Sequence, residues 1–320
     1  VNVQHLVSVS GGKDSTAVYL RAIELGRPFR AAFADTGNEH QAVYDYIADL
    51  PILTGGPAVE TVRGDFSRQL AKHRAYILRE WPKQGIPDEI VREAAALNEP
   101  TGNPYLDLCI SKGRFPSRMA QFCTAELKEF PIMEHVVLPM LKAGPVLQWL
   151  GIRADESARR RNQPRFNRHE SGSFLWRPIL RWSVADVWAQ HRKHGLKPNP
   201  LYALGMSRVG CMPCINCRKS ELRAIAEQFP EHIDRIERWE RVVAAANKRR
   251  ISTFFAATTD PTDVDRPGTY SGIRKVVEWS QTTRGGRQFD LLQPGGGCSS
   301  DLGLCETGTG DAGAATKDAA

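Results

Sequence analysis

Ser10, Gly11, Gly12, Lys13, Asp14 and Ser15 follow one another in the chain and together hold the parts of an anion cradle. Gly11 and Gly12 let the backbone approach a ligand that a side chain would hold off. Lys13 supplies a mobile full charge, and Ser10 and Ser15 supply hydroxyl donors. The short apolar run Leu6 to Ser10 precedes this turn, and a helical stretch, Thr16 to Leu25, follows it and stops at Gly26. A strand, a glycine turn and a helix in that order aim backbone N–H groups at whatever occupies the turn, where the helix carries partial positive charge. The spacing is not that of a Walker A loop.

Two further constellations could meet an anion or a metal. Gly151-Ile152-Arg153-Ala154-Asp155-Glu156-Ser157 follows a second apolar run, and Arg159, Arg160 and Arg161 come just after it. The planar guanidinium of Arg153 suits forked recognition of phosphate or sulfate. Arg160 and Arg161 read equally as surface residues. Cys211, Cys214 and Cys217 form C-x2-C-x2-C, a spacing typical of [4Fe–4S] ligands, with zinc as the alternative. A fourth ligand must come from elsewhere, and Cys109, Cys123, Cys298 and Cys305 are available. Cys109, between Leu108 and Ile110, reads as a buried free thiol.

The elements that must position these residues alternate strand and helix. Phe29 to Ala34 reads as a second strand ending at Asp35-Thr36-Gly37, Glu39 to Leu50 as a helix closed by Pro51, and Val59 to Val62 as a third strand. Such alternation implies a parallel sheet covered on both faces. The β pattern returns at Val146 to Gly151 and near Leu175 to Ile179, with a helix capped by Ser183 and Asp186. A charged helix is expected from about Ser220 to Arg250. The expected organisation is an α/β nucleotide-binding domain over 1–200 with a helical insertion at about 66–100, a cysteine-cluster and helical region over 201–257, and a Gly-rich, largely disordered tail over 258–320.

The motifs resemble those of the PP-loop ATP pyrophosphatase superfamily, and within it the phosphoadenosine phosphosulfate (PAPS) reductase family. Ser10 to Ser15 resembles its SGGxDS loop, Gly151 to Ser157 its GxRxxES segment, and Arg177-Pro178-Ile179 with Trp182-Ser183 and Asp186-Val187-Trp188 a downstream segment of the same family. Cys123-Thr124 through Leu127-Lys128 resembles a segment in which a cysteine commonly serves the cluster. The resemblance implies a Rossmann-like, adenine nucleotide alpha hydrolase-like fold. It also implies ATP, or the sulfonucleotides PAPS or APS, as ligand. On it, Lys13, Asp14 and Arg153 are candidate catalytic residues. Ser10, Gly11, Gly12, Lys13, Ser15, Asp35, Gly151, Arg153 and Glu156 would bind the nucleotide, with Asp35 meeting Mg²⁺ or a ribose hydroxyl. Cys123, Cys211, Cys214 and Cys217 would hold a [4Fe–4S] cluster. Cluster-bearing relatives linked to DNA phosphorothioation look similar. A true reductase carries its reactive cysteine in a C-terminal Glu-Cys-Gly-Leu-His segment; Gly303-Leu304-Cys305-Glu306 departs from it, and Cys305 stands as a separate candidate thiol.

Bulk properties bound the partners. The 320-residue chain has a net charge of +7 and a pI near 9.1. That balance suits anionic partners, whether an adenine nucleotide or a nucleic acid, and equally an ordinary basic surface. A sulfur-donor protein and self-association are also compatible with it. No apolar run approaches a membrane span, and no leader precedes the first strand, so a cytoplasmic protein is expected.

Overall fold

The computed structural model describes residues 2–255, 272–283 and 304. The chain divides into two compact units. The first comprises Val1–Gly64, Thr124–Cys211 and, from the described part of the C-terminal segment, Leu304; the second comprises Asp65–Cys123 and Met212–Gly286.

The first unit is a six-stranded sheet in the order β3-β2-β1-β4-β6-β5. Its strands are β1 Gln4–Ser8, β2 Phe29–Asp35, β3 Val59–Arg63, β4 Val146–Trp149, β5 Phe166–Arg168 and β6 Phe174–Trp176. All neighbours pair in parallel except β5, which runs antiparallel to β6 at the edge. The α/β class expected from the sequence is therefore the class observed. Helices α1 (Lys13–Glu24) and α2 (Gln41–Thr54) link β1 to β2 and β2 to β3. Those two crossovers step outward in one direction. The chain then returns past β1 to β4, and right-handed crossovers place the returning helix on the opposite face.

That helix, α6, runs over 122–143 and was not foreseen. Its sequence looks interrupted because Pro131 and Pro139 lie inside it. The wide turns Ala125–Glu129 and Met133–Val137, closed by i→i+5 bonds, accommodate both rings, which would clash with the i−4 carbonyl of a regular helix. Ile132, Val136, Val137 and Met140 of α6 bury against Leu6, Ala32, Val62 and Leu175 of the sheet. Leu304 joins this same core, so the segment expected as a disordered tail contributes one fully packed side chain.

Pro51 does not close α2. It sits in the last turn, and the helix continues to Gly55, whose N–H bonds the Pro51 carbonyl at 2.9 Å. The capping box at Ser183 and Asp186 forms as expected and opens α7 (Val184–Lys193).

The second unit is helical: α3 Ser67–Glu80, α4 Asp88–Leu97, α5 Pro104–Lys112, α8 Lys219–Gln228, α9 Pro230–Ala245 and α10 Ile273–Gln281. The insertion expected over 66–100 thus extends to Cys123 and groups with residues beyond Met212. The single helix expected over 220–250 is two, broken at Phe229 (φ −135°), because a residue preceding proline avoids the helical region. Tyr105, Trp239, Phe115 and Phe254 stack as one aromatic core, and the buried Glu240 carboxylate caps the Phe254 and Ile273 N–H groups. The Ile273–Gln281 helix is a second ordered piece of the expected tail, of which only 272–283 and Leu304 are described; Cys298 and Cys305 lie outside the described set. No helix among the described residues is long and apolar enough to cross a membrane.

Candidate functional site

The sheet order reverses between β1 and β4, and open α/β sheets bind ligands at the C-terminal ends of strands beside such a switch. The chain leaving β1 there is Ser10–Ser15, and the chain leaving β4 is Gly151–Ser157. The fold thus brings together two segments about 140 residues apart in sequence.

Their contact is close. A Cβ built on Gly151 would lie 2.9 Å from both the Cα and the N of Ser15, so glycine is the residue that lets β4's exit touch the first turn of α1. Gly11 takes a left-handed conformation (φ +72°), and a Cβ there would lie 2.9 Å from Val43 Cγ1. Arg153, with no exposed surface, donates from Nε to Asp14 Oδ1 at 2.5 Å, and Lys13 Nζ stands 3.0 Å from Asp14 Oδ2. Burial alone would raise the Asp14 carboxyl; the Lys13 and Arg153 cations outweigh it and hold the group below its ordinary value. Lys13, Asp14 and Arg153, the three candidate catalytic residues, are one buried charge cluster.

The loop is knitted internally. The Ser15 hydroxyl donates to the Gly12 carbonyl at 3.1 Å and accepts from the Ser10 N–H, which leaves the Ser10 hydroxyl to donate to Ser15 Oγ at 3.0 Å. Ser15 therefore shapes the turn. Glu156 is buried and accepts from the Arg153 N–H (2.9 Å) and Arg160 Nη1 (2.5 Å). Arg160 is buried, which decides against the surface reading, whereas Arg159 and Arg161 are exposed.

Two residues that the sequence did not single out grip the Lys13 main chain. The Lys13 N–H donates to Tyr202 Oη at 2.8 Å, and the Lys13 carbonyl accepts from His191 Nε2 at 2.9 Å. That bond places the His191 proton on Nε2, and burial lowers the imidazole's pKa, so the ring is neutral. The Trp188 ring packs edge-on against both His191 and Tyr202. Trp188 thus supports the loop indirectly. The Lys13 ammonium also lies 5.7 Å over the Tyr202 ring.

At the end of β2 the Asp35 carboxylate already has close partners. Asp35 Oδ1 accepts from the Gly37 N–H and the Tyr44 hydroxyl, and Oδ2 accepts from Nε and Nη2 of Arg63. These four donors fill the carboxylate's lone-pair positions. A cation or a ribose hydroxyl reaching Asp35 would compete there with the exposed Arg63 side chain. Glu39 is buried beside it, and burial raises its carboxyl above the ordinary value despite the Lys128 charge nearby.

Cys211 lies in this unit: its Sγ is 3.4 Å from Thr36 Oγ1 and 3.6 Å from Glu39 Oε1, and its backbone bridges Glu39. Cys214, Cys217 and Cys123 belong to the helical unit. All four are free thiols, so none is spent in a disulfide. The Cys217 N–H closes a turn on the Cys214 carbonyl at 2.9 Å, and the Asn216 N–H points at Cys214 Sγ at 3.4 Å. Cys211 is the one of the four fixed by neighbours in the sheet unit. Cys109 is fully buried, and burial pushes its thiol well up, as an inert core residue requires.

The sheet order, the glycine turn at its switch point and the paired cations define an open α/β protein with a cationic loop at the switch point. The phosphoadenosine phosphosulfate reductase domain matches residues 118–217. An uncharacterized 37.8 kDa protein in the gpa 5′ region of Escherichia phage 186 is 43% identical over 306 residues, covering 90% of this chain and 91% of that protein. Adenosine 5′-phosphosulfate reductase of Bacillus cereus (strain B4264) is 32% identical over 81 residues, 24% of this chain and 35% of the enzyme. A solved PAPS reductase from Candida auris, in complex with phosphate, is 17% identical with a TM-score of 0.42, covering 67% of this chain and 84% of that one. The chain thus carries a match to the PAPS reductase domain over residues 118–217 and is, over nearly its whole length, a relative of the phage 186 protein.

Proposed function

We propose that this protein binds ATP or a related adenine sulfonucleotide at the Ser10–Ser15 loop and cleaves it at the α-phosphate, adenylating an acceptor for sulfur transfer or nucleic-acid modification. The observation that carries the reading is the buried Lys13–Asp14–Arg153 cluster at the β1/β4 switch point. In this reaction an acceptor oxygen attacks the α-phosphorus, the α–β anhydride bond breaks, and pyrophosphate leaves with the electron pair. A sulfur or nitrogen nucleophile then displaces AMP from the acceptor.

The chain's contribution is position and charge. The loop backbone and Lys13 face the departing pyrophosphate, and Arg153 offsets charge growing on the α-phosphate oxygens. His191 and Tyr202 hold the Lys13 main chain so that this geometry needs little rearrangement on binding. Cys123, Cys211, Cys214 and Cys217 would hold an iron–sulfur cluster, which supplies a site for delivering sulfur or electrons.

One observation favours a second reading, a sulfonucleotide reductase that releases sulfite. Leu304 is buried in the sheet unit's core, in the unit that carries the loop, and its carbonyl accepts from Lys128 Nζ at 3.0 Å. Anaerobically purified protein is to be assayed for pyrophosphate from ATP and for sulfite from PAPS and APS, with Lys13→Ala and Cys305→Ser as variants. Pyrophosphate from ATP that is lost in Lys13→Ala and kept in Cys305→Ser is expected. Sulfite release that vanishes in Cys305→Ser would establish the reductase instead.

A further inference from the structure

The helical unit carries a concentration of positive charge that the nucleotide site does not use. No acidic residue lies between Asp107 and Glu126, or from Arg241 to Phe255, yet these two stretches supply Lys112, Arg114 and Arg118, and Lys248, Arg249 and Arg250. The fold joins them: Asn247 Nδ2 donates to the Gly113 carbonyl at 2.8 Å, fastening the end of α9 to the end of α5. All six cations are exposed.

Their neutralisation is slight. Arg250 pairs with Glu93 at 2.7 Å. Lys248 Nζ meets only the neutral Gln84 amide, at 3.0 Å, and Arg118 donates to the Cys217 carbonyl. Arg114 stands over the Phe122 ring at 5.6 Å, and Lys112 shares that ring at 5.9 Å. Among the described residues Arg114, Arg118, Lys248 and Arg249 make no ion pair. Holding like charges together costs free energy unless an anion joins them, and surfaces without such a role usually intersperse both signs. A single small anion would not span two helix ends. A polyanion with closely spaced charges would.

We infer that this face of the helical unit, built from the ends of α5 and α9, binds the phosphate backbone of nucleic acid. It reads charge and not sequence: these long cationic side chains stand on exposed helix ends and present no element shaped for a groove. Binding is therefore sequence-tolerant and steeply salt-dependent. The inference is independent of the nucleotide reading, because binding is measured without turnover.

The test is fluorescence anisotropy of a short labelled DNA duplex of mixed sequence, titrated with the full-length protein across salt concentrations. Arg114→Ala/Lys248→Ala/Arg249→Ala is compared with wild type and with Arg27→Ala/Lys142→Ala/Arg192→Ala, which removes the same charge from exposed positions of the sheet unit. Each lost phosphate contact lowers the slope of log K against log salt by about 0.9, so three lower it by about 2.7. Between about 50 and about 200 mM salt that is a difference of roughly 40-fold in how much affinity is lost. Weakened binding with this flatter slope in the first triple variant, and near wild-type behaviour in the second, is the expected result. Equal losses in both triples would mean bulk charge alone and would overturn the assignment. So would unchanged binding in the first triple, no DNA binding by wild type, or binding confined to anionic lipid vesicles. Circular dichroism and an unchanged urea midpoint show that the exposed substitutions leave the fold intact.

Discussion

Replacing Arg153 by methionine removes one of two cations from a carboxylate that has almost no access to water. The methionine preserves much of the volume, so the change is mainly electrostatic. Breaking a buried ion pair by removing one partner costs about 3–5 kcal/mol. Asp14 keeps Lys13 at 3.0 Å, so the lower end, about 3 kcal/mol, is expected in a urea titration at neutral pH. The pH dependence follows from the sign of the Asp14 shift. Its folded pKa lies below the ordinary 3.8, so it contributes stability above that pH and loses the contribution as pH falls through the folded value. In Arg153→Met the burial effect, which raises the pKa, is opposed by Lys13 alone, and the folded pKa moves up. A group raised above its unfolded value costs stability when ionised, so the gap between variant and wild type narrows as pH is lowered toward 5. Asp14→Asn combined with Arg153→Met should recover part of the loss, with a coupling of about 1–3 kcal/mol. A loss below about 1 kcal/mol, or full additivity in the double variant, would refute the view that the pair is a buried, interdependent unit.

Three other outcomes are expected. Gly151→Ala forces a Cβ to 2.9 Å from the Ser15 backbone, so it should lower stability by about 1–3 kcal/mol and weaken nucleotide binding; an unchanged melting temperature would contradict that contact. Tyr202→Phe deletes the hydroxyl that accepts from the Lys13 N–H, costing about 1 kcal/mol, and raises KM or lowers kcat without loss of fold, as steady-state kinetics with circular dichroism would show. Anaerobically purified protein should be brown and contain iron and sulfide, and Ser at Cys211, Cys214 or Cys217 should bleach it; zinc without iron in the wild type would decide for the alternative metal.

What was legible in the sequence was local. The glycine turn, its flanking strand and helix, and the Ser183–Asp186 cap each depend on residues within a few positions of one another, and each formed where the pattern placed it. The pairing of Asp14 with Arg153 spans 139 positions, and only the crossing of β1 and β4 makes it. His191 and Tyr202 escaped notice because they act on the main chain of Lys13, a contact that no side-chain pattern encodes. Helix α6 escaped because two prolines masked a helix that its wide turns rescue. The break at Phe229 was legible, since Pro230 stood in the sequence. The contact of Glu39 with Cys211 depends on a bridge between segments 172 residues apart, which no local pattern encodes.

The loop's charge balance makes a last prediction. Lys13 and Arg153 carry two positive charges, and Asp14 returns one negative charge between them. The cradle is therefore only singly cationic, although the proposed ligand is multiply charged. Asp14 holds both cations where the ligand will need them, which lowers the reorganisation cost of binding. It also competes with the ligand for those cations. Asp14→Asn keeps the shape and removes the competitor, so inorganic pyrophosphate should bind more tightly, by about tenfold or more, as expected for an opposing charge removed from a poorly solvated site. Turnover should nevertheless fall, because the two cations lose the anchor that fixes their direction. Calorimetric titration with pyrophosphate separates these effects from misfolding. Weaker pyrophosphate binding in a folded Asp14→Asn protein would mean that the carboxylate's positioning of Lys13 and Arg153 outweighs its competition, and the charge-balance account would fail.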